Sequence, residues 1–369
     1  MNNDLLYQIA LTQIPMVGDV TAKLLYAHFG SAQNIFTSNK KQLQDTLGVG
    51  GGIAQSIIEH RTACLHRAET ELMFIEKNHI KTCVYGSSSY PNKLRQCHDA
   101  PLLLYYKGTI DIDNKYTLAI VGTRKATPYG EAITEQIIED LKEYNVNIVS
   151  GLAYGIDVTA HKSALNNNLA TIGVLAHGLN KLYPAAHAQI AKRMVESEGA
   201  VMTEFISGTN PDRENFPKRN RIVAGLSDAV LVIEAAAKGG ALITADIAHT
   251  YNKDVFAIPG RCSDEFSMGC NNLIKYNKAA LVTSAADIIK FMSWQKQTEQ
   301  PVHRQESMFE FVNDDEKLIY DSIKNATNIH IDELSIQVQM PISKLAVALL
   351  NMEFSRQIKT LPGKRYMAL

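Results

Sequence analysis

From about Tyr116 onward the chain alternates apolar runs of strand length with amphipathic stretches of helix length, and few architectures accept that rhythm. The runs are YTLAIVG, VNIVSG, ATIGVLA, AVMTEF, AVLVIEA, DVFAIPG and AALVTS. Between them lie PYGEAITEQIIEDLKEY, GIDVTAHKSALNNN, HAQIAKRMVESEG and GALITADIAHTY. A run that is apolar at nearly every position is a strand buried on both faces, and strands alternating with helices connect through right-handed βαβ crossovers. The expected class is therefore α/β, a doubly wound parallel sheet. Upstream, KTCVYG and LLLYYKG add two short strands at the sheet's entry. Ligands of such sheets bind outside the carboxyl ends of the strands.

The flanks follow other patterns. In residues 1–80, IPMVGDVTAKLL and LGVGGGIAQSII share a frame, Val17-Gly18 with Ala22 and Leu25, then Val49-Gly50 with Ala54 and Ile57, offset by 32 residues. Such a frame is similar to a pair of helix-hairpin-helix units, in which a glycine turn aims backbone amides outward at a helix N-terminus. The nearby cations, Lys23, Lys40 and Lys41, are scattered, which favours a plain helical bundle over a DNA-binding one. Residues 81–293 form the α/β core. Residues 294–309, polar and Gln-rich with a proline, read as a linker. Residues 310–369 read as three helices and a terminal hairpin, a winged-helix-like unit whose second long helix, PISKLAVALLNME, carries one lysine and is mostly apolar. That composition suits a structural or protein-binding role better than base readout.

Lys plus Arg (37) nearly cancels Asp plus Glu (38), so binding of a polyanion must come from a local patch and not from net charge. The five cysteines form no C-x-x-C pair and are odd in number, so neither a zinc site nor a disulfide framework is encoded. With no basic segment at the start and no apolar run approaching a membrane span, the expected setting is a reducing cytoplasm, away from membranes.

The first strand of the core turns into its helix through AIVGTRKATPYG, where a dinucleotide fold would need G-x-G-x-x-G; only Gly122 is present before Pro128. What remains is a seat for phosphate: Gly122 for close backbone approach, Thr123 for a hydroxyl, Arg124 for a forked cation, and Thr127-Pro128 to open the helix. The second strand ends in SGLAYGID, and the fifth is followed by Gly239-Gly240 at another helix start. Asp157 and His161, four residues apart, suit a buried hydrogen bond that fixes their helix better than a catalytic or metal pair, because no third ligand is evident. Neither a P-loop nor a G-x-S-x-G elbow occurs. The stretch NFPKRNRIVAGLS then sets Lys218, Arg219 and Arg221 beside Phe216, with Arg213 just upstream. On a regular sheet this cationic knot shares one rim with Arg124 and Gly239-Gly240, so that Phe216 stacks on a base, Arg219 and Arg221 neutralise phosphates and Asn220 orients.

The tracts YPNKLRQCHDAPLLLYYKG, AIVGTRKATPYG, SGLAYGIDVTAH, GLNKLYP, NFPKRNRIVAGLS, LITA and VFAIPG followed by SMGCNNLIK, in this order, resemble the DNA-processing protein A (DprA/Smf) family. The resemblance implies an extended Rossmann-like core without nucleotide chemistry, cofactor or metal, flanked by a sterile-alpha-motif-like N-terminal region and a winged-helix-like C-terminal region. It implies a non-catalytic homodimer that binds single-stranded DNA in natural transformation and helps load the recombinase RecA. Carried over by motif, the DNA pocket comprises Gly122, Thr123, Arg124, Gly151, Phe216, Arg219, Asn220 and Gly240. Gly239 stands where the family often has serine. The rival reading is a nucleotide phosphoribohydrolase of the lysine-decarboxylase-like family, whose P-G-G-x-G-T-x-x-E tract is replaced here by KGGALITAD; it requires Asp246 to face the pocket.

Overall fold

The computed structural model describes residues 3–296, 314–326, 329–355, 357–361 and 363–368, which fall into two units divided after residue 297. In the first unit, α1 (Asn3–Leu11), α2 (Asp19–Phe29), α3 (Ala32–Thr37), α4 (Lys40–Gln44) and α5 (Gly51–Lys77) precede the sheet. Gly18 and Gly50, the two glycines of the repeated frame, stand at the N-caps of α2 and α5, each with extended backbone. The helices share an apolar cluster with Leu102, Leu103 and Tyr105, so they pack against the sheet's entry instead of standing apart from it.

The sheet follows. Strands β1 (Lys81–Val84) and β2 (Leu103–Gly108), separated by α6 (Asn92–Arg95), pair antiparallel. Then come β3 (Thr117–Val121), α7 (Pro128–Asp140), β4 (Asn147–Ser150), α8 (Ile156–Asn166), β5 (Thr171–Val174), α9 (Ala188–Glu196), β6 (Ala200–Thr203), α10 (Asn215–Leu226), β7 (Ala229–Val232), α11 (Gly240–Thr250), β8 (Asp254–Ala257), α12 (Met268–Lys275), β9 (Ala280–Leu281) and α13 (Ala285–Met292). The nine strands lie in the order β1-β2-β6-β5-β4-β3-β7-β8-β9, parallel from β6 to β9, and β2 joins the β6 edge antiparallel. Strands β3 to β7 are buried at every position, as two-sided cover by helices demands. Alternate residues feed two cores: Ala119 and Val121 pack with Ile222 and Val223 of α10, while Leu118 and Ile120 pack with Ile137 and Ile138 of α7.

The order reverses at β3, whose neighbours are β4 on one side and β7 on the other. That reversal opens a crevice at the carboxyl ends of β3 and β7. Trp294, which the composition assigns to the linker, is buried and stacks on Tyr116, ring centroids 5.0 Å apart. The rest of that linker, from residue 297, lies outside the described residues.

The second unit holds α14 (Asp314–Asn325), β10 (Ile329–His330), α15 (Ile331–Gln337), α16 (Ile342–Phe354), β11 (Ile358–Leu361) and β12 (Arg365–Ala368). Its three strands pair in the order β10-β12-β11, the winged-helix arrangement. Its core runs through Ile319, Ile323, Leu334, Leu345, Leu349 and Met352. Among the described residues no helix is long and apolar enough to cross a membrane.

Candidate functional site

The crevice between the ends of β3 and β7 is a cavity of about 290 Å³. Its walls come from three strand-to-helix turns and one helix face. The β3–α7 turn supplies Gly122, Thr123 and Arg124, the β4–α8 turn Gly151 and Ala153, and the β7–α11 turn Lys238, Gly239 and Gly240. Helix α10 contributes Phe216, Arg219, Asn220 and Val223, spaced i, i+3, i+4, i+7 on one side of the helix.

Backbone hydrogen bonds fix the first turn from both sides. Thr123 N–H donates to the Glu234 carbonyl at 2.7 Å, and Ile156 N–H donates to the Thr123 carbonyl at 3.2 Å. The Thr123 hydroxyl accepts from Lys125 N–H at 3.2 Å. Buried Glu234, at the end of β7, accepts from Thr127 N–H at 3.0 Å and from the Thr127 hydroxyl, clasping the start of α7 to the neighbouring strand. There is no room at Gly122 for a side chain: a Cβ would sit 2.5 Å from Ile156 Cγ1.

Arg219 is 5% exposed and forms the floor of the cavity. Its Nη1 donates to the carbonyls of Gly151 and Val174, the ends of β4 and β5, and its Nε donates to Asn220 Oδ1 at 3.0 Å. Asn220 in turn donates to the Gly240 carbonyl at 3.3 Å. A Cβ at Gly151 would fall on the Arg219 guanidinium, so glycine is what lets the cation lie against this strand end. Burial lowers the Arg219 pKa to about 10, opposed by the nearby Asp157 carboxylate, and the group stays charged at neutral pH. Phe216 is half-buried, with the Arg124 guanidinium 5.1 Å and the Arg219 guanidinium 5.9 Å from its ring centroid. Both contacts fall in cation–π range.

Asp157 and His161 do not bond to each other. The Asp157 carboxylate accepts from Gly151 N–H at 3.2 Å and Ala153 N–H at 3.4 Å, and burial raises its pKa against the pull of Arg219. His161 lies 2.7 Å from the Thr171 hydroxyl, whose single proton goes to the Ile148 carbonyl, so His161 is the donor, from Nδ1. Burial first, then His187 and Arg219, push its pKa down to about 3 and keep it neutral. No group of three or more His, Cys, Asp or Glu side chains is gathered as a metal site among the described residues. Asp246 is exposed on α11, bonded to Lys278 at 2.8 Å and absent from the cavity walls, so the condition on which the hydrolase reading depends is not met.

The single rim expected for the cationic knot is divided by the helix that carries it. Lys218 and Arg221, three residues apart, project to the other side of α10 and line a cleft of about 550 Å³ against α2. There the Arg221 guanidinium contacts Asp19 Oδ2 at 2.9 Å, Glu204 and the Asp99 carbonyl, and is 9% exposed. Arg221 therefore holds the N-terminal helices to the core and is not presented on the rim. Arg213 is exposed in the loop before α10 and lines neither space. The sequence reading missed Lys238, exposed on the rim two residues before Gly240; the tract AKGG carried the signal, a cation next to a glycine turn at a strand end.

A doubly wound sheet with a cationic, glycine-walled cavity at its switch point defines a Rossmann-like class of protein. Comparison with known proteins narrows the class. The family model described as DNA recombination-mediator protein A matches residues 81–293, a helix-hairpin-helix motif matches residues 9–67, and the DprA winged helix domain matches residues 312–364. The chain belongs to the DNA recombination-mediator protein A family, the DprA/Smf proteins. A protein Smf from Synechocystis is 36% identical over 295 residues, 78% of this chain and 72% of the relative. The crystal structure of DNA processing protein A from Streptococcus pneumoniae superposes with a TM-score of 0.65 at 31% identity, covering 79% of this chain and 98% of that one. A second structure, of the Helicobacter pylori protein described for its single-stranded DNA binding mode, gives a TM-score of 0.53 at 27% identity, covering 58% and 97%.

Proposed function

We propose that this chain binds single-stranded DNA through the switch-point cavity and acts as a non-catalytic recombination mediator. The observation that carries the reading is the half-buried ring of Phe216, set among two guanidiniums and glycine backbone at the mouth of the cavity. A ring so placed can stack only on a base whose face is free, and duplex DNA offers none along its length. Arg124 and Lys238 flank it for phosphates, and Gly239-Gly240 leave the backbone of the α11 N-terminus open. The single-stranded DNA binding described for the Helicobacter pylori relative supports the same reading.

Protection of an incoming strand, pairing of two copies into a homodimer and loading of the recombinase RecA complete the proposal; what supports them is membership of a family of recombination mediators. The direct test is affinity for oligo-dT against duplex of equal length. Single strands should bind more tightly, and Phe216→Ala should lower their affinity by about 1–3 kcal/mol, the range for one base–aromatic stack. Equal affinity for the two forms would refute the reading. Incubation with AMP or ATP should release neither base nor phosphate.

A further inference from the structure

Phe216 also lines a narrow saddle of about 20 Å³ beside the cavity, too small to seat a nucleotide. The two share Arg124, Gly151, Ala153, Phe216 and Arg219, and the saddle continues over Tyr154, His177 and Tyr183. Tyr154 is 48% and Tyr183 47% exposed, unusual for two rings flanking a strand-end crevice. The Tyr154 ring meets His187 edge-on, centroids 4.9 Å apart. His187 belongs to the next depression, a groove of about 550 Å³ between α8 and α9 lined by Lys162, Asn166, Gln189 and Arg193. Lys162 and Arg193 are exposed, Arg193 touching only a neutral group, Asn166 Oδ1 at 3.3 Å. Among the described residues no carboxylate lines either the saddle or the groove.

Two adjoining depressions, linked through the Tyr154–His187 ring contact, that offer two exposed rings and then two cations without acidic partners have the chemistry of a strand track: planar faces for bases, followed by charge for the backbone. We infer that a single strand seated in the cavity leaves it over Tyr154 and Tyr183 and runs into the Lys162–Arg193 groove. This rests on the single-strand reading of the cavity and extends it to a direction along the molecule. The saddle carries the strand across and the groove holds its phosphates.

The test compares three proteins, wild type, Phe216→Ala and the double variant Lys162→Gln/Arg193→Gln, on oligo-dT of about 4 and about 16 nucleotides, a span typical of single-strand sites. Both replaced cations are exposed, so the double variant should fold. It should bind the short oligonucleotide as wild type does, while its salt slope on the long one falls by about 1.4, about 0.7 for each phosphate lost. Tyr154→Ala should weaken the long oligonucleotide about tenfold, within the range of one lost stack. If Phe216→Ala weakens both lengths but the double variant leaves affinity and slope unchanged, the track is wrong and the cavity reading stands. If the double variant weakens binding while Phe216→Ala changes neither length, the groove acts alone and the track as a continuation of the cavity is overturned.

Discussion

Arg219 and Arg221 stand two residues apart on one helix, both buried, yet they belong to opposite kinds of surface. On the cavity side Arg124, Arg219 and Lys238 face one carboxylate, Asp157. On the cleft side Lys218 and Arg221 face three, Asp19, Asp99 and Glu204. The cleft is the larger space, but its carboxylates offset its cations, whereas in the smaller cavity the cations outnumber the one carboxylate, the balance that favours a polyanion. Charge balance, not volume, separates the binding face of α10 from its docking face.

The largest effect is expected on the docking face. Arg221→Met removes the counter-charge of the largely covered Glu204 and the half-buried Asp19, and stability should fall by about 3 kcal/mol in denaturant unfolding, the low end for a pair broken by removing one partner. Oligo-dT affinity of the protein that remains folded should not change. A loss of affinity without a loss of stability would dissolve the distinction between the two faces.

On the cavity face, Gly151→Ala drives a Cβ into a guanidinium that three hydrogen bonds hold in place. Overpacking of this kind costs about 1–3 kcal/mol. Here stability and oligo-dT affinity should fall together, because the displaced Arg219 has only the cavity to enter.

A smaller effect concerns pH. Burial pushes the Glu204 carboxyl up from its ordinary 4.5 to about 7, against the attraction of Arg221. The folded protein therefore keeps a proton that the unfolded chain releases, and this contribution to stability is present below about pH 4.5 and lost as pH rises through about 7. Glu204→Gln should flatten the unfolding midpoint across that window. A variant whose pH profile overlays wild type would show that Glu204 titrates normally and that Arg221 fully compensates it.

The finest discrimination comes from salt. Lys238→Gln should reduce the salt slope of oligo-dT binding by about 0.7, whereas Lys218→Gln, also exposed but on the cleft side, should leave it unchanged. Equal reductions would mean that DNA crosses both faces of α10.

Much of this was legible in the sequence. The seven apolar runs from Tyr116 onward became β3 to β9, and the glycine turns at Gly122 and Gly239-Gly240 met at one crevice because strand ends of a doubly wound sheet must. The misreading of Lys218 and Arg221 has a specific cause: NFPKRNR was treated as a cluster in front of a helix, whereas the helix begins at Asn215 and turns about 100° per residue through the cluster. Period 3.6 alone groups Phe216 with Arg219, Asn220 and Val223, and sets Lys218 and Arg221 apart. That Arg221 would meet Asp19, about two hundred positions away, is a long-range pairing that no local pattern encodes.

Trp294 is the only tryptophan in the chain, buried in the first unit and stacked on Tyr116. Its fluorescence is thus a built-in optical reporter of one unit of the protein: a red shift in emission during denaturation marks the opening of the sheet-containing unit, while melting of the winged-helix unit, which carries no such chromophore, passes unseen in that channel.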